Sequence, residues 1–259
     1  MIVIKYGGNA MRDGNGFFAT AIKDSLASGE SVVVVHGGGP QINQALAEAG
    51  ITSEFVGGYR VTTPEILIVV DDVLTKNVGP RIAAGLSNAG VPSESISGRT
   101  FLTGEILHHL VDNSAAHLGL VGNVTNVQTD SLLHLLKQGI TPVVAPLATD
   151  SQSGLGLNVN ADLAAAAIAG ALKAHTLIVM TDVAGIYRDW SNKDSLISEI
   201  AAPDLSVIKE TFSGGMAPKV QACLDAITAG AQAVRIIDGT EPTTLALALA
   251  GSGGTLVRS

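Results

Sequence analysis

The chain has 259 residues, of which 46% are hydrophobic, 15% charged and 30 glycine, and this excludes disordered and fibrous classes. A net charge of −8 with no Lys/Arg stripe argues against nucleic acid, and the single cysteine, Cys223, excludes an intramolecular disulfide framework and a cysteine-cluster metal site. Aromatic residues make up 3%, so the core must be built from Ala, Val, Leu and Ile.

The first forty residues hold two apolar strands that each run into glycine. Ile2–Tyr6 leads into Gly7-Gly8, and Val32–Val35 leads into His36-Gly37-Gly38-Gly39-Pro40. Strands apolar on both faces belong in the middle of a parallel sheet covered by helices. Ligands in such sheets bind beyond the carboxyl ends of the strands, where glycine lets backbone amides approach an anion.

A helix is predicted over 15–28, ending at Gly29, and another over 40–49, closed by Gly50. The stretch 55–62, with Gly57-Gly58, reads as a β-hairpin. Pro64 opens a long helix to about Asn88, and 93–127 is β-rich. A helix near 130–138 precedes the strand 141–146, and the helix 161–172 precedes the strand 176–181. The helix 218–228 precedes the strand 233–237, and 245–250 gives a last helix before a terminal strand. This alternation predicts an α/β fold, a three-layer αβα sandwich around a central, mostly parallel sheet, with two lobes facing one cleft. The division is expected in the Ser- and Gly-rich stretch 146–156, giving an N-lobe of about 1–150 and a C-lobe of about 151–259 within a single domain.

Met1 leads straight into a strand with no signal-like segment, and no apolar run reaches membrane-spanning length. The expectation is a soluble cytoplasmic protein with no membrane partner. The six histidines show no metal-binding spacing, and no metal ligand is named.

G-x-x-x-x-G-K-[ST] is absent, and His36–Ile42 fails the G-x-G-x-x-G pattern because position 42 is isoleucine. Lys5 ends an otherwise aliphatic strand beside Gly7-Gly8, where an anion in the crevice accounts for it better than a surface role. Asn160 is a good helix N-cap, and Asp162 in the first turn complements the macrodipole. Such an aspartate is also held ionised, suited to positioning lysines. Gly214-Gly215-Met216-Ala217-Pro218-Lys219 reads as a glycine turn before a helix with Pro218 at its first position. A cation in that first turn costs about 0.3–1 kcal/mol unless an anion binds there. Arg60, on the expected hairpin, is a candidate clamp for a carboxylate, although a hairpin arginine is more often only a surface charge.

Taken in order, K-Y-G-G-N-A-M, V-V-H-G-G-G-P-Q-I, G-G-Y-R-V-T, N-V-N-A-D, T-D-V-A-G-I-Y and G-G-M-A-P-K resemble the amino-acid kinase family, and within it the N-acetylglutamate kinases. The resemblance implies transfer of phosphate from ATP to the γ-carboxylate of N-acetyl-L-glutamate, in arginine biosynthesis. It places Lys5 and Lys219 on the transferring phosphoryl group and Asp162 as the orienter of both. Gly8, Gly38 and Gly39 would offer backbone amides to the phosphoryl group and the reacting carboxylate. Arg60 and Asn158 would hold the α-carboxylate. Thr181, Asp182, Val183 and Tyr187, with Gly215 and Met216, would border the nucleotide. Mg²⁺ would arrive on ATP with few or no protein ligands, and no tightly bound cofactor is implied.

Two stretches depart from the family pattern: Ser97–Thr100 lacks an acidic or lysine-bearing continuation, and Asn123 stands where an acid is usual. Without the N-terminal extension that resembles the mobile helix of arginine-inhibited hexamers, the chain is expected to be an arginine-insensitive homodimer. Two other readings stand beside this one: a kinase for a carrier-protein-bound aminoadipate or glutamate, and a non-catalytic nucleotide sensor on the same scaffold.

Overall fold

The structure is a computed structural model that describes residues 1–7, 15–110, 112–212 and 216–259, with the side chains of 210 and 218 left aside. The first strand, β1 (Ile2–Tyr6), is followed by α1 (Phe17–Ala27), β2 (Val32–His36) and α2 (Gly39–Glu48). Gly29 and Gly50 adopt φ values of 88° and 71° just beyond the two helices, the left-handed stop that glycine supplies without strain. β3 (Phe55–Val56) and β4 (Tyr59–Arg60) pair antiparallel across Gly57-Gly58, whose φ values of 58° and 87° fit a tight hairpin turn.

The expected long helix begins as α3 (Pro64–Asp72), capped by the Thr63 hydroxyl, which accepts from the Ile66 amide at 3.2 Å. Its hydrogen-bond register then widens into a π-helical stretch over Val73–Val78 before α4 (Gly79–Asn88) continues it. The β-rich region resolves into β5 (Ser93–Ser97), β6 (Leu102–Ile106) and β7 (Val121–Val127), followed by α5 (Asp130–Lys137) and β8 (Thr141–Ala145). Within and just after the Ser- and Gly-rich stretch 146–156, β9 (Leu147–Asp150) and β10 (Gly156–Val159) pair antiparallel. These two strands close a small barrel with β6 and β7. Ser97–Thr100 forms a short 3₁₀ turn leading into that barrel.

Next come α6 (Ala161–Ala171), β11 (Thr176–Thr181), β12 (Glu199–Ala201) and α7 (Ala202–Ile208). The chain ends with α8 (Met216–Thr228), β13 (Ala233–Asp238), α9 (Thr244–Leu249) and β14 (Thr255–Arg258). The helix α8 starts at Met216, so Pro218 is its third residue rather than its first as the sequence suggested. The short β12 and α7 have no counterpart in the sequence reading.

The main sheet has eight strands in the order β12-β14-β13-β11-β1-β2-β8-β5, with only β13 and β14 antiparallel. This is the expected α/β sandwich with a mostly parallel sheet. Residue parity assigns its two faces. Ile2, Ile4 and Tyr6 pack with α1, α4 and α9, whereas Val3, Val33, Val35, Leu177 and Val179 pack against the alanines of α6 and the apolar side of α8. Lys5 shares the parity of Val3. The strand that carries it has β2 on one side and β11 on the other, so the chain order reverses there, the place where such sheets bind ligands.

Candidate active site

The small side chains of α6 bring α8 close. A Cβ on Gly170 would overlap the Ala229 Cβ just past the end of α8, so only glycine permits this approach. The result is that Asp162, in the first turn of α6, meets Lys219, in the first turn of α8. Lys219 Nζ donates to Asp162 Oδ2 at 2.9 Å. From the sheet, Lys5 Nζ lies 3.0 Å from Asp162 Oδ1, a pairing by charge in which Oδ1 has no aligned hydrogen bond among the described residues. Lys5 also reaches the Met180 carbonyl at 3.4 Å.

Asn160 fixes the carboxylate's backbone: its Oδ1 accepts from the Asp162 amide at 2.8 Å and the Leu163 amide at 3.4 Å. Asp162 is buried, which alone would push its pKa up. The ammonium groups of Lys5 and Lys219 overcome that penalty and hold the carboxyl at about 2. Two cations on one carboxylate leave one positive charge over. That surplus faces the carboxyl edge of the sheet, where an anionic group would be neutralised.

Two cavities flank the triad. One, of about 200 Å³, is lined by Gly37, Gly38, Gly39, Arg60, Asn158 and Asn160, among others. The other, of about 590 Å³, is lined by Thr181, Asp182, Val183, Tyr187, Met216 and Lys219, with Arg188, Trp190, Thr211 and Phe212. The sequence-derived candidates thus fall into two groups joined by the Asp162 network. Gly8 and Gly215 lie outside the described residues.

Gly38 is the N-cap of α2 and Gly39 its first residue, and among the described residues no side chain caps the helix, so its first amides are placed to receive an anion. A Cβ on Gly38 would stand 2.6 Å from Leu74 Cδ2. Gly39 has open space around its Cβ position, so its value lies in access rather than packing.

Arg60 corrects the bland view of a hairpin cation, because it is buried. Its Nη1 donates to Ser53 Oγ at 2.5 Å and its Nη2 to Asn43 Oδ1 at 2.6 Å, and its guanidinium lies 4.6 Å from the Phe55 ring centroid. Burial pushes its pKa down, and among the described residues no carboxylate pairs with it. A desolvated guanidinium with only neutral partners is a receptor for an anion. Asn158 Nδ2 donates to Thr62 Oγ1 at 3.0 Å, and Thr62 Oγ1 donates to the Arg60 carbonyl at 2.8 Å. Thr62, fully buried, is a link that sequence reasoning missed. So are Asn43 and Ser53; nothing local in sequence pairs them with Arg60.

Among the described residues, no group of three or more His, Cys, Asp or Glu is placed to hold a metal ion, and no helix is long and apolar enough to cross a membrane.

A three-layer α/β sandwich in which a lysine of the switch-point strand and a lysine of a helix start share one buried carboxylate defines a class of anion-handling proteins. Residues 1–238 match the model described as "Amino acid kinase family", and the chain belongs to that family. The acetylglutamate kinase of Corynebacterium jeikeium is 42% identical over 258 residues, spanning 98% of this chain and 81% of that protein. The acetylglutamate kinase of Kineococcus radiotolerans is 42% identical over 269 residues, spanning 99% and 90%. Among solved structures, smu.665 from Streptococcus mutans aligns with a TM-score of 0.82 at 29% identity, covering 99% of this chain and 98% of that one. A carbamate kinase from Giardia lamblia shares the fold, with a TM-score of 0.73 at 18% identity over 100% of this chain and 98% of the other.

Proposed function

We propose that the chain transfers the γ-phosphoryl group of ATP to the γ-carboxylate of N-acetyl-L-glutamate, releasing N-acetylglutamyl 5-phosphate and ADP, a step of arginine biosynthesis. The observation that carries the proposal is the Lys5–Asp162–Lys219 triad standing between a cavity with an unpaired guanidinium and a larger cavity. The high identity to acetylglutamate kinases over almost the whole chain supports the acceptor.

A carboxylate acceptor is already ionised at neutral pH, so its attack needs no general base. The transferring group spreads negative charge over its equatorial oxygens, and catalysis is mainly positioning and charge neutralisation. Lys5 and Lys219 supply that neutralisation, Lys219 on the side of the leaving ADP. Asp162 holds both ammonium groups in place and touches no substrate, so its role is positioning. The amides of Gly38 and Gly39, with Gly8, approach the phosphoryl group and the reacting carboxylate. Arg60 and Asn158 clamp the α-carboxylate. Thr181, Asp182, Val183, Tyr187, Met216 and Gly215 border the nucleotide, and Mg²⁺ enters with ATP as part of the substrate. In this reading residues 1–150 carry most of the acyl site and the dimer contacts, and 151–259 the nucleotide site, within a cytoplasmic homodimer. The carrier-protein and sensor readings are not favoured: the relatives are free-acid kinases by name, and a sensor has no need of two lysines on one carboxylate.

Trapping the acyl phosphate with hydroxylamine tests the reaction. The wild-type chain is expected to give the hydroxamate from N-acetylglutamate and Mg-ATP. Lys5→Ala is expected to lose most of that product while still binding nucleotide; undiminished product from Lys5→Ala would sink the mechanism.

A further inference from the structure

The loop after β11 carries the chain's one tryptophan, Trp190, and it is 60% exposed. Its side chain is nonetheless held in place. The Tyr187 ring meets it edge-on, with centroids 5.5 Å apart and an interplanar angle of 88°. Lys193 Nζ sits 3.2 Å from the indole centroid and donates to the Trp190 carbonyl at 2.8 Å. The loop is closed at its base by a bridge between Tyr187 and Leu196 and by the Arg188 amide donating to the Ser195 carbonyl at 3.0 Å. Inside it, Asp189 Oδ1 accepts from the Ser191 amide at 2.9 Å and the Ser191 hydroxyl at 2.7 Å.

Trp190 lines the cavity of about 590 Å³ that Lys219 also lines, whereas Lys193 does not. The ammonium of Lys193 covers one face of the indole and also lies 4.9 Å from the Tyr187 ring centroid, tying the two rings together. The cavity wall combines cations, Lys219 and Arg188, with the aromatic rings of Tyr187, Trp190 and Phe212. A molecule with a polyanionic tail and a flat heteroaromatic head finds a partner for each part on such a wall. Aromatic faces accept any nucleobase by stacking, and a cation on an indole is favourable even near water.

We propose that Trp190 is the platform on which the base of the nucleotide substrate stacks, with Lys193 clamping the indole in position. The proposal rests on the reading that this cavity takes ATP. It assigns a binding residue to a position where the family motifs quoted above place none.

A single tryptophan makes the test direct. Mg-ADP titrated into the purified chain is expected to change the intrinsic fluorescence saturably, while Mg-tripolyphosphate, which carries charge without a base, leaves the spectrum unchanged. Trp190→Ala is expected to raise the KM for ATP about tenfold, more than it lowers kcat, and Trp190→Phe to restore most of the difference. The KM for the acyl substrate should stay within about twofold, since a stacking platform acts only on the base. Calorimetry on the same samples separates the failures. ADP binding with a silent tryptophan and an unaltered KM in Trp190→Ala overturns the platform and leaves the kinase reading standing. No ADP binding by wild type overturns the cavity assignment and the platform with it.

Discussion

The ammonium groups of Lys5 and Lys219, from opposite ends of the chain, meet on the two oxygens of a single carboxylate, at 3.0 Å and 2.9 Å. Lys5 arrives on the sheet by strand parity and Lys219 on a helix by an alanine-and-glycine packing surface. The shared partner, Asp162, fixes their separation. Without it, two cations would repel each other in a partly desolvated crevice.

Replacing Asp162 therefore damages both chemistry and stability. Asp162→Asn leaves a buried ammonium group, Lys5, and a partly buried one, Lys219, without a counter-charge, a loss of up to about 3–5 kcal/mol. Thermal melting should show a large fall in Tm, and kcat should drop at least about a hundredfold with the lysines no longer positioned. A variant with wild-type kcat would show that the lysines need no orienter.

The link through Thr62 makes a narrower prediction. Thr62→Val removes the hydroxyl that accepts from Asn158 and donates to the Arg60 carbonyl. Asn158, half-buried on the cavity wall, then loses the bond that orients it, worth up to about 1–3 kcal/mol, so the KM for the acyl substrate should rise by up to about a hundredfold. The KM for ATP should move little. An equal rise in both constants would point to general loosening of the fold instead.

At Gly170 two effects oppose each other. Alanine in a helix interior gains about 1 kcal/mol over glycine. Here its methyl overlaps Ala229 and presses on the backbone there, so α6 and α8 must separate. Overpacking of this kind costs about 1–3 kcal/mol, so Gly170→Ala should lower Tm rather than raise it. Because α6 carries Asp162 and α8 carries Lys219, kcat should fall as well.

His36 sets a pH limit. It is fully buried at the end of β2, its Nδ1 donates to the Gly37 carbonyl at 2.7 Å, and its Nε2 has no partner among the described residues. Burial pushes its pKa down from 6.5 to about 4, against the raising effect of that hydrogen bond. The unfolded chain takes up the proton first, so the stability tied to neutral His36 is complete above pH 6.5 and is lost as pH falls towards 4. The full contribution is about 3 kcal/mol. His36→Gln should flatten the dependence of Tm on pH across this window; an unchanged slope would exclude His36 as its source.

Much of the fold was legible because its punctuation is glycine and proline. Gly29, Gly50 and Gly57-Gly58 stop helices and turn the hairpin where their backbone freedom is required, and the apolar strands gave the parallel sheet. The π-helical Val73–Val78 stretch was not legible, since a shift in hydrogen-bond register leaves hydrophobic spacing almost intact. The β9–β10 hairpin was not legible in 146–156, because Ser and Gly serve hairpin turns and irregular loops alike. At the site, Lys5 and Lys219 stood out as charges in places that local structure does not favour, whereas Asp162 sits where a helix start favours an acid. Arg60 did not stand out, because its burial depends on Phe55, Asn43 and Ser53 closing around it. Thr62 and Trp190 carry no sequence signal of their own; only the fold puts them beside Asn158 and a cavity.

The central claim is the identity of the acceptor. ADP release from Mg-ATP, measured with N-acetyl-L-glutamate, free glutamate, aminoadipate and carbamate in parallel, tests it most directly. The site described predicts turnover with N-acetyl-L-glutamate far above the other three. No release with N-acetyl-L-glutamate, or faster release with any of the others, would contradict it.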